Sequence, residues 1–178
     1  MLPEQFCVRM KEMLGEEYAA FYASYDLPKY QALRINPLKT ERDTFLLQAP
    51  FSLNRVPWTT NGYYYSGNDQ PGRHPYHEAG VYYIQEPSAM APAEYLMAEP
   101  GERILDLCAA PGGKSTQIAC SMQGEGLIVC NEIHPARAKI LSENIERMGV
   151  CNALVTNETP QKLSDNFREY FESLNLQD

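Results

Sequence analysis

The run Asp106-Leu107-Cys108-Ala109-Ala110-Pro111-Gly112-Gly113-Lys114 has the composition of a loop that brings backbone close to a ligand. Gly112 and Gly113 carry no Cβ to hold a ligand off. Ala109 and Ala110 are small, Pro111 is rigid, and a helix opening after the glycines presents unpaired N–H groups. In an open α/β sheet, a nucleotide-like ligand sits at the carboxyl ends of the strands, where the loop leaving the first strand meets it. Two phosphate chemistries are excluded by pattern: Gly-x-x-x-x-Gly-Lys-Ser/Thr is absent, and so is Gly-x-Gly-x-x-Gly. Glu132 stands about twenty residues past the glycines, at the end of a second apolar run, where an acid accepts hydrogen bonds from both ribose hydroxyls or else serves as a helix-start carboxylate. An acid there also repels phosphate. Arg137, one turn into the next helix, pairs with Glu132, faces the ligand, or is simply solvated. Asn157, at the end of a third strand, offers an amide and a carbonyl to an adenine edge, or else serves as a turn residue before a helix. Loop and acid together call for a nucleoside without phosphate, and S-adenosylmethionine is such a ligand.

Alternating strands and helices are needed to position these residues. Arg103–Leu107 reads as a short apolar strand, followed by the glycine turn and a helix over about Lys114–Ser121. Gly126–Glu132 is a second strand and Asn152–Thr156 a third. Between them Pro135–Met148 is a helix: Ala138, Leu141, Ile145 and Met148 recur by threes and fours, Pro135 suits a first helical turn, and Gly149 suits a helix end. Leu163, Phe167, Tyr170 and Leu174 predict a last amphipathic helix. This order argues a parallel sheet with right-handed crossovers. Only about three strands are supplied, so the edge beside the first strand is expected to be bare, an edge prone to pairing. A second copy or another chain is a candidate to complete it.

Residues 1–80 differ in texture, and the expected division is a small α+β region over 1–80 and a truncated cofactor-binding portion over 81–178. Phe6, Met10, Met13, Leu14 and Tyr18 predict a helix over Leu2–Tyr25, stopped by Pro28. Gln31–Asn36 alternates as a short strand does. Phe51–Tyr65 predicts short strands, Ser66–Gly72 a loop, and Pro87–Met97 a helix. The fold class expected is therefore α/β: an incomplete Rossmann-like domain with its first three strands, preceded by the α+β region.

The 178 residues carry a net charge of −8. Proteins that hold nucleic acid chiefly through phosphates show basic surface, so the charge counts against RNA binding by this chain alone. Cys7, Cys108, Cys120, Cys130 and Cys151 are scattered, with no Cys-x-x-Cys pair and no His at zinc-ligand spacing. Free thiols in a reducing compartment and no metal site are expected. No apolar run approaches a membrane span, and Met1-Leu2-Pro3-Glu4-Gln5 has neither the basic nor the apolar part of a secretory signal; the cytoplasm is the expected location.

The stretch Leu105–Lys114 resembles the cofactor motif of the Sun-type RNA 5-methylcytosine methyltransferases. Arg34-Ile35-Asn36-Pro37-Leu38-Lys39 is similar to that family's Arg-x-Asn-x-x-Lys signature, and Tyr83–Met90 to its Gln-Asp/Glu-Pro-Ser segment. Asn131-Glu132, Arg137 and Asn144–Gly149 fit the family's stretch after the cofactor motif. The resemblance implies S-adenosylmethionine as cofactor, held by Cys108, Ala109, Ala110, Pro111, Gly112, Gly113, Lys114, Glu132, Arg137 and Asn157, and methyl transfer to carbon 5 of cytosine in rRNA or tRNA. In the family a cysteine thiolate adds to carbon 6 to activate carbon 5. That nucleophile lies further along, beyond an Asp-Ala-Pro-Cys-Ser-Gly motif that has no counterpart before Asp178. Cys108 belongs to the cofactor loop and is not the nucleophile, so no catalytic residue is assigned. The other readings are a non-catalytic module holding RNA or a protein, and a truncation without function. Arg34, Asn36 and Lys39 either touch RNA or the cofactor-domain surface, or serve packing and solvation, the commoner role.

Overall fold

The structure, a computed structural model, describes residues 2–167 and 170 and the backbone of 173–175. It divides into two compact units, residues 1–30 and 31–178.

In the first unit, α1 (Glu4–Leu14) and α2 (Tyr18–Ala23) are joined and followed by single 3-10 turns, Gly15–Glu17 and Ser24–Asp26. The single helix expected over Leu2–Tyr25 is thus broken at Gly15. Its φ of 52° lies in the left-handed region, which glycine enters without a Cβ penalty and which ends a helix. The kink brings Phe6 and Phe21 together at 6.2 Å and sets Tyr25 edge-on to Phe21 at 5.4 Å.

The second unit opens with an antiparallel sheet. β1 (Ala32–Ile35) is followed by α3 (Arg42–Gln48), β2 (Leu53–Arg55), β3 (Gly62–Tyr65), α4 (Pro75–Glu78) and β4 (Tyr82–Ile84), with strand order β2-β3-β1-β4. The central strand β1 is buried along its whole length. Strand side chains alternate between faces. Leu33 and Ile35 pack with Phe45, Tyr63 and Tyr82, while Ala32 packs with Val56 and Met90. Burying each large apolar side chain of this kind is worth roughly 1.5–3 kcal/mol. Arg34, between Leu33 and Ile35, therefore points away from the Phe45–Tyr82 cluster.

After α5 (Pro87–Leu96) comes the alternating part: β5 (Arg103–Asp106), α6 (Gly113–Ser121), β6 (Leu127–Asn131), α7 (Pro135–Met148), β7 (Ala153–Thr156), α8 (Pro160–Asn166) and β8 (Ser173–Asn175). The sheet order is β7-β6-β5-β8, with every pair parallel. Both faces are covered, as parallel sheets require. Ile104, Ile128 and Cys130 pack against Ile118, Met122, Leu141 and Ile145; Leu105 and Val129 pack against Leu163. α7 runs as expected, with Pro135 in its first turn and Gly149 closing it at φ 74°.

Two expectations are corrected at the end of the chain. The helix marked by Leu163 ends at Asn166, and Leu174 lies in a strand paired with Leu105. The edge of β5, expected bare, is thereby covered by β8. The helical spacing of the apolar residues is a local pattern, whereas the N–H and C=O groups along β5 are a non-local demand that only a strand satisfies. Among the described residues, no helix is long and apolar enough to cross a membrane, and no group of three His, Cys, Asp or Glu is placed to hold a metal ion.

Candidate functional site

β5 ends at Asp106, whose side chain is fully buried. One carboxylate oxygen accepts from the Ser115 hydroxyl at 2.7 Å and the other from the Cys108 N–H at 3.2 Å. The carboxylate so ties the start of the loop to the first turn of α6. Burial pushes the Asp106 carboxyl above its ordinary value, and the bonds from Ser115 and Cys108 and the charge of Lys114 offset part of the rise.

The loop's carbonyls are held one by one. Ala110 O accepts from Arg137 Nη2 at 2.9 Å. Pro111 O accepts from Asn144 Nδ2 at 2.7 Å. Gly112 O accepts from the Thr116 hydroxyl at 2.7 Å. Gly113 O accepts from Arg34 Nη1. Gly112 has φ 111°, and a Cβ there would stand 3.2 Å from Leu141 Cδ1 and 3.4 Å from Asn144 Cβ. Gly113 has no such backbone constraint; a Cβ on it would sit 3.4 Å from the Tyr83 ring. The conformational need for glycine therefore falls on Gly112.

A cavity of about 230 Å³ lies against this loop. Its lining comes from two stretches of chain, Asp106, Cys108, Ala109, Ala110, Pro111, Gly113 and Lys114 from the loop, and Tyr83, Ile84, Gln85, Glu86 and Ala89 from the segment that includes β4. Gly112, Glu132, Arg137 and Asn157 are not on its wall. They are nonetheless joined to the loop and to each other. Glu132 is 3% exposed; one carboxylate oxygen accepts the His134 N–H at 2.9 Å and the other lies 3.3 Å from Arg137. Of the roles open to Arg137, the structure shows the pairing with Glu132 and the bond to Ala110, with the side chain still half-exposed to solvent. Asn157 donates its amide to the Glu132 carbonyl at 2.6 Å, so one of its donors is engaged locally.

Three groups of residues missed as site residues shape this region. Asn131 binds the ends of all three long strands: it donates to Glu158 O at 3.0 Å and accepts from the Thr156 hydroxyl at 2.9 Å and from the Glu158 N–H at 3.0 Å, with a longer contact to Leu107 O at 3.4 Å. Tyr83, Gln85 and Glu86 complete the lining of the cavity; their signal was their place in a recognisable segment. Arg34, assigned mainly to packing and solvation, is 2% exposed and reaches the loop directly. Its signal was a charged residue in the middle of a buried strand. Asn36, two residues on, donates to Gly80 O and to Met148 O, each at 2.8 Å. Lys39 stands beside Gly149, where a Cβ would lie 2.8 Å from its Cε.

The thiols differ sharply. Cys130 is buried and pushed up to about 12 by that burial, and burial likewise raises Cys120. A thiol so held is not a nucleophile near neutral pH. Cys108 is exposed at the cavity.

A family model described as the N-terminal domain of 16S rRNA methyltransferase RsmF matches residues 2–87. A second, described as 16S rRNA methyltransferase RsmB/F, matches residues 93–176. The chain belongs to the RsmB/F family of rRNA methyltransferases. It matches that family's N-terminal part. The ribosomal RNA small subunit methyltransferase F of Photobacterium profundum is 35% identical over 167 residues, covering 88% of this chain and 35% of that protein. The corresponding protein of Escherichia coli O157:H7 is 34% identical over 185 residues, covering 98% of this chain and 39% of that protein. The chain thus spans between a third and two fifths of these relatives' length. Among solved structures, a methyltransferase homologue from Pyrococcus horikoshii superposes with a TM-score of 0.83 at 27% identity, covering 97% of this chain and 58% of that one. NSun6 from Pyrococcus horikoshii, solved with SFG, has a TM-score of 0.78 at 19% identity, covering 92% and 67% of the two chains, and speaks to the fold alone. The α/β architecture is that of a Rossmann-like methyltransferase domain.

Proposed function

We propose that this RsmB/F-family chain is the cofactor-holding portion of an rRNA cytosine-C5 methyltransferase. The observation that carries the reading is the Asp106–Lys114 loop. Its four successive carbonyls are drawn into bonds with Arg137, Asn144, Thr116 and Arg34, and the loop backs a cavity with the helix N-terminus of α6 beside it. S-adenosylmethionine is the family's cofactor, and the residues fit it. The cavity of about 230 Å³ is below the roughly 300–1,000 Å³ usual for a whole small ligand, so it suits one end of an elongated molecule. Ala109, Ala110 and Gly113 admit close backbone approach, and Lys114 and the N–H groups of α6 suit a carboxylate. Glu132 stands at the adjoining strand end for ribose hydroxyls, braced by Arg137, and Asn157 stands beside it for the adenine. S-adenosylmethionine supplies an electrophilic methyl group. The chain's own residues bind and orient; no thiol beside the cavity is assigned to activating cytosine, since Cys120 and Cys130 are buried and Cys108 is part of the loop.

The division into residues 1–80 and 81–178 belongs to this proposal. It is supported by the two family models meeting between residues 87 and 93. β4, just beyond residue 80, pairs with β1, so the antiparallel sheet takes its last strand from the second part. The proposal extends to rRNA as substrate and to the cytoplasm, where rRNA is modified in bacteria such as those relatives come from.

Calorimetric titration of the purified chain with S-adenosylmethionine tests the reading. One site per chain is expected, with affinity falling at least tenfold in Gly112→Ala, because an L side chain at φ 111° is strained by about 1–3 kcal/mol. No heat of binding from a chain that unfolds cooperatively would defeat it. Methyl transfer to 16S rRNA by the 178-residue chain is expected at background, and transfer above it would mean that a thiol in this chain serves.

A further inference from the structure

We propose that Arg34 is the positioning residue of the cofactor loop: from the central strand of the antiparallel sheet it fixes the Gly113 carbonyl and Gln85, two groups that line the cavity, and so joins the loop to the segment after β4. The inference rests on the cofactor reading above.

Arg34 is 2% exposed, and a guanidinium taken out of water must be hydrogen-bonded to be tolerated. Its acceptors are four neutral oxygens. Nη1 directs its two N–H bonds at Gln85 Oε1 at 2.7 Å and at Gly113 O, with a shared, longer contact to Gln117 Oε1 at 3.2 Å; Nη2 donates to Thr116 Oγ1 at 2.8 Å, and Nε is without a partner among the described residues. Two of these, Gln85 and Gly113, line the cavity as neighbours, a Cβ on Gly113 standing 3.6 Å from Gln85 Cδ. A third, Thr116, donates its own hydroxyl hydrogen bond to Gly112 O at 2.7 Å. One side chain thus sets two consecutive glycine carbonyls, one directly and one through a hydroxyl. Gln85 is itself held, its amide donating to Ala89 O at 2.9 Å. The Tyr83 ring, a further part of the wall, has the guanidinium carbons of Arg34 and Arg147 at 5.6 and 5.5 Å from its centroid, within cation–π range.

A planar fork reaches acceptors that diverge in this way, and an ammonium does not. A residue serving packing alone would need neither the fork nor the charge. The arrangement turns the fold of β1 into a determinant of loop geometry at a distance of about eighty residues in sequence (79 for Gly113, 82 for Thr116).

The test uses the chain as it stands, with S-adenosylhomocysteine as probe. Arg34→Lys and Thr116→Val are compared with the parent by calorimetry, at a temperature where circular dichroism shows each to be folded. Ligand-free hydrogen exchange is followed in peptides spanning 109–117 and 53–65. Expected are at least tenfold weaker binding in both variants and faster exchange in 109–117, with 53–65 unchanged. A folded variant that binds within twofold of the parent, or that loosens 53–65 as much as 109–117, overturns the positioning role and leaves the cofactor reading intact. A folded parent that does not bind defeats the cofactor reading; exchange in 109–117 then decides on its own whether Arg34 orders the loop. Should Arg34→Lys not fold, Thr116→Val carries the test.

Discussion

At the scale of single residues, the buried Asp106 carboxylate is an acid at the hinge of the loop. Its folded-state pKa is raised, chiefly by burial. Folding therefore takes up a proton at this group: its contribution to stability is full below the unfolded value, near pH 4, and is lost as the pH rises through the higher folded value. Asp106→Asn has no such titration. Its stability relative to the parent, measured by urea denaturation, should improve as the pH is raised from about 4 towards 7; parallel curves would show that the group titrates alike in both states. The thiols give a second residue-scale prediction. Iodoacetamide at neutral pH should label the exposed Cys108 and Cys151 and spare the buried Cys120 and Cys130, since burial keeps the latter pair protonated. Saturating S-adenosylhomocysteine should slow labelling of Cys108 severalfold and leave Cys151 unchanged, by mass spectrometry. Equal protection of both would place the ligand elsewhere.

Elements act here by covering one another. β5 and β6 are sandwiched between α6 and α7 on one face and α8 on the other, and α8 does its part through Leu163, 3% exposed against Leu105 and Val129. Truncating it to alanine is expected to cost about 2–5 kcal/mol, read from the urea midpoint at constant slope. A loss under about 1 kcal/mol would mean that α8 does not cover the sheet. The approach of the α4–β4 turn to the end of α7 is governed by Gly80, where a Cβ would collide with the Arg147 carbonyl. Asn36 bridges the same two segments from β1, through the Gly80 and Met148 carbonyls. The Arg-x-Asn stretch therefore serves two neighbouring junctions, Arg34 at the start of α6 and Asn36 at the end of α7.

For the whole molecule, charge is the governing quantity. With a net charge of −8, the chain alone should bind a 16S rRNA fragment no more tightly than the roughly 10⁻⁴–10⁻⁶ M of non-specific association at physiological salt, by fluorescence anisotropy. Submicromolar affinity with a steep salt slope would reveal a local basic patch sufficient for recognition. This chain spans 35% of the Photobacterium profundum relative, and the expected affinity is that of this stretch alone.

What was legible in the sequence was whatever is local. The loop was readable because its glycines, proline and lysine are consecutive, and α7 because four apolar residues, a first-turn proline and a closing glycine mark one helix. The end of the chain misled for the same reason: Leu163 to Leu174 keeps helical spacing, yet β5 demands a strand there. Gln85 and Glu86 stood in a segment whose place in the cavity wall only the packing of β4 against the loop reveals. Arg34 read as surface or filler because its partners lie 51 to 83 residues away. The Asp106–Lys114 loop and the acid at Glu132 were determined by sequence, because glycine, proline and strand-end acids act on their own neighbours. Which side chains hold that loop in shape was decided by tertiary structure alone, because a buried guanidinium is satisfied only by oxygens that folding brings to it.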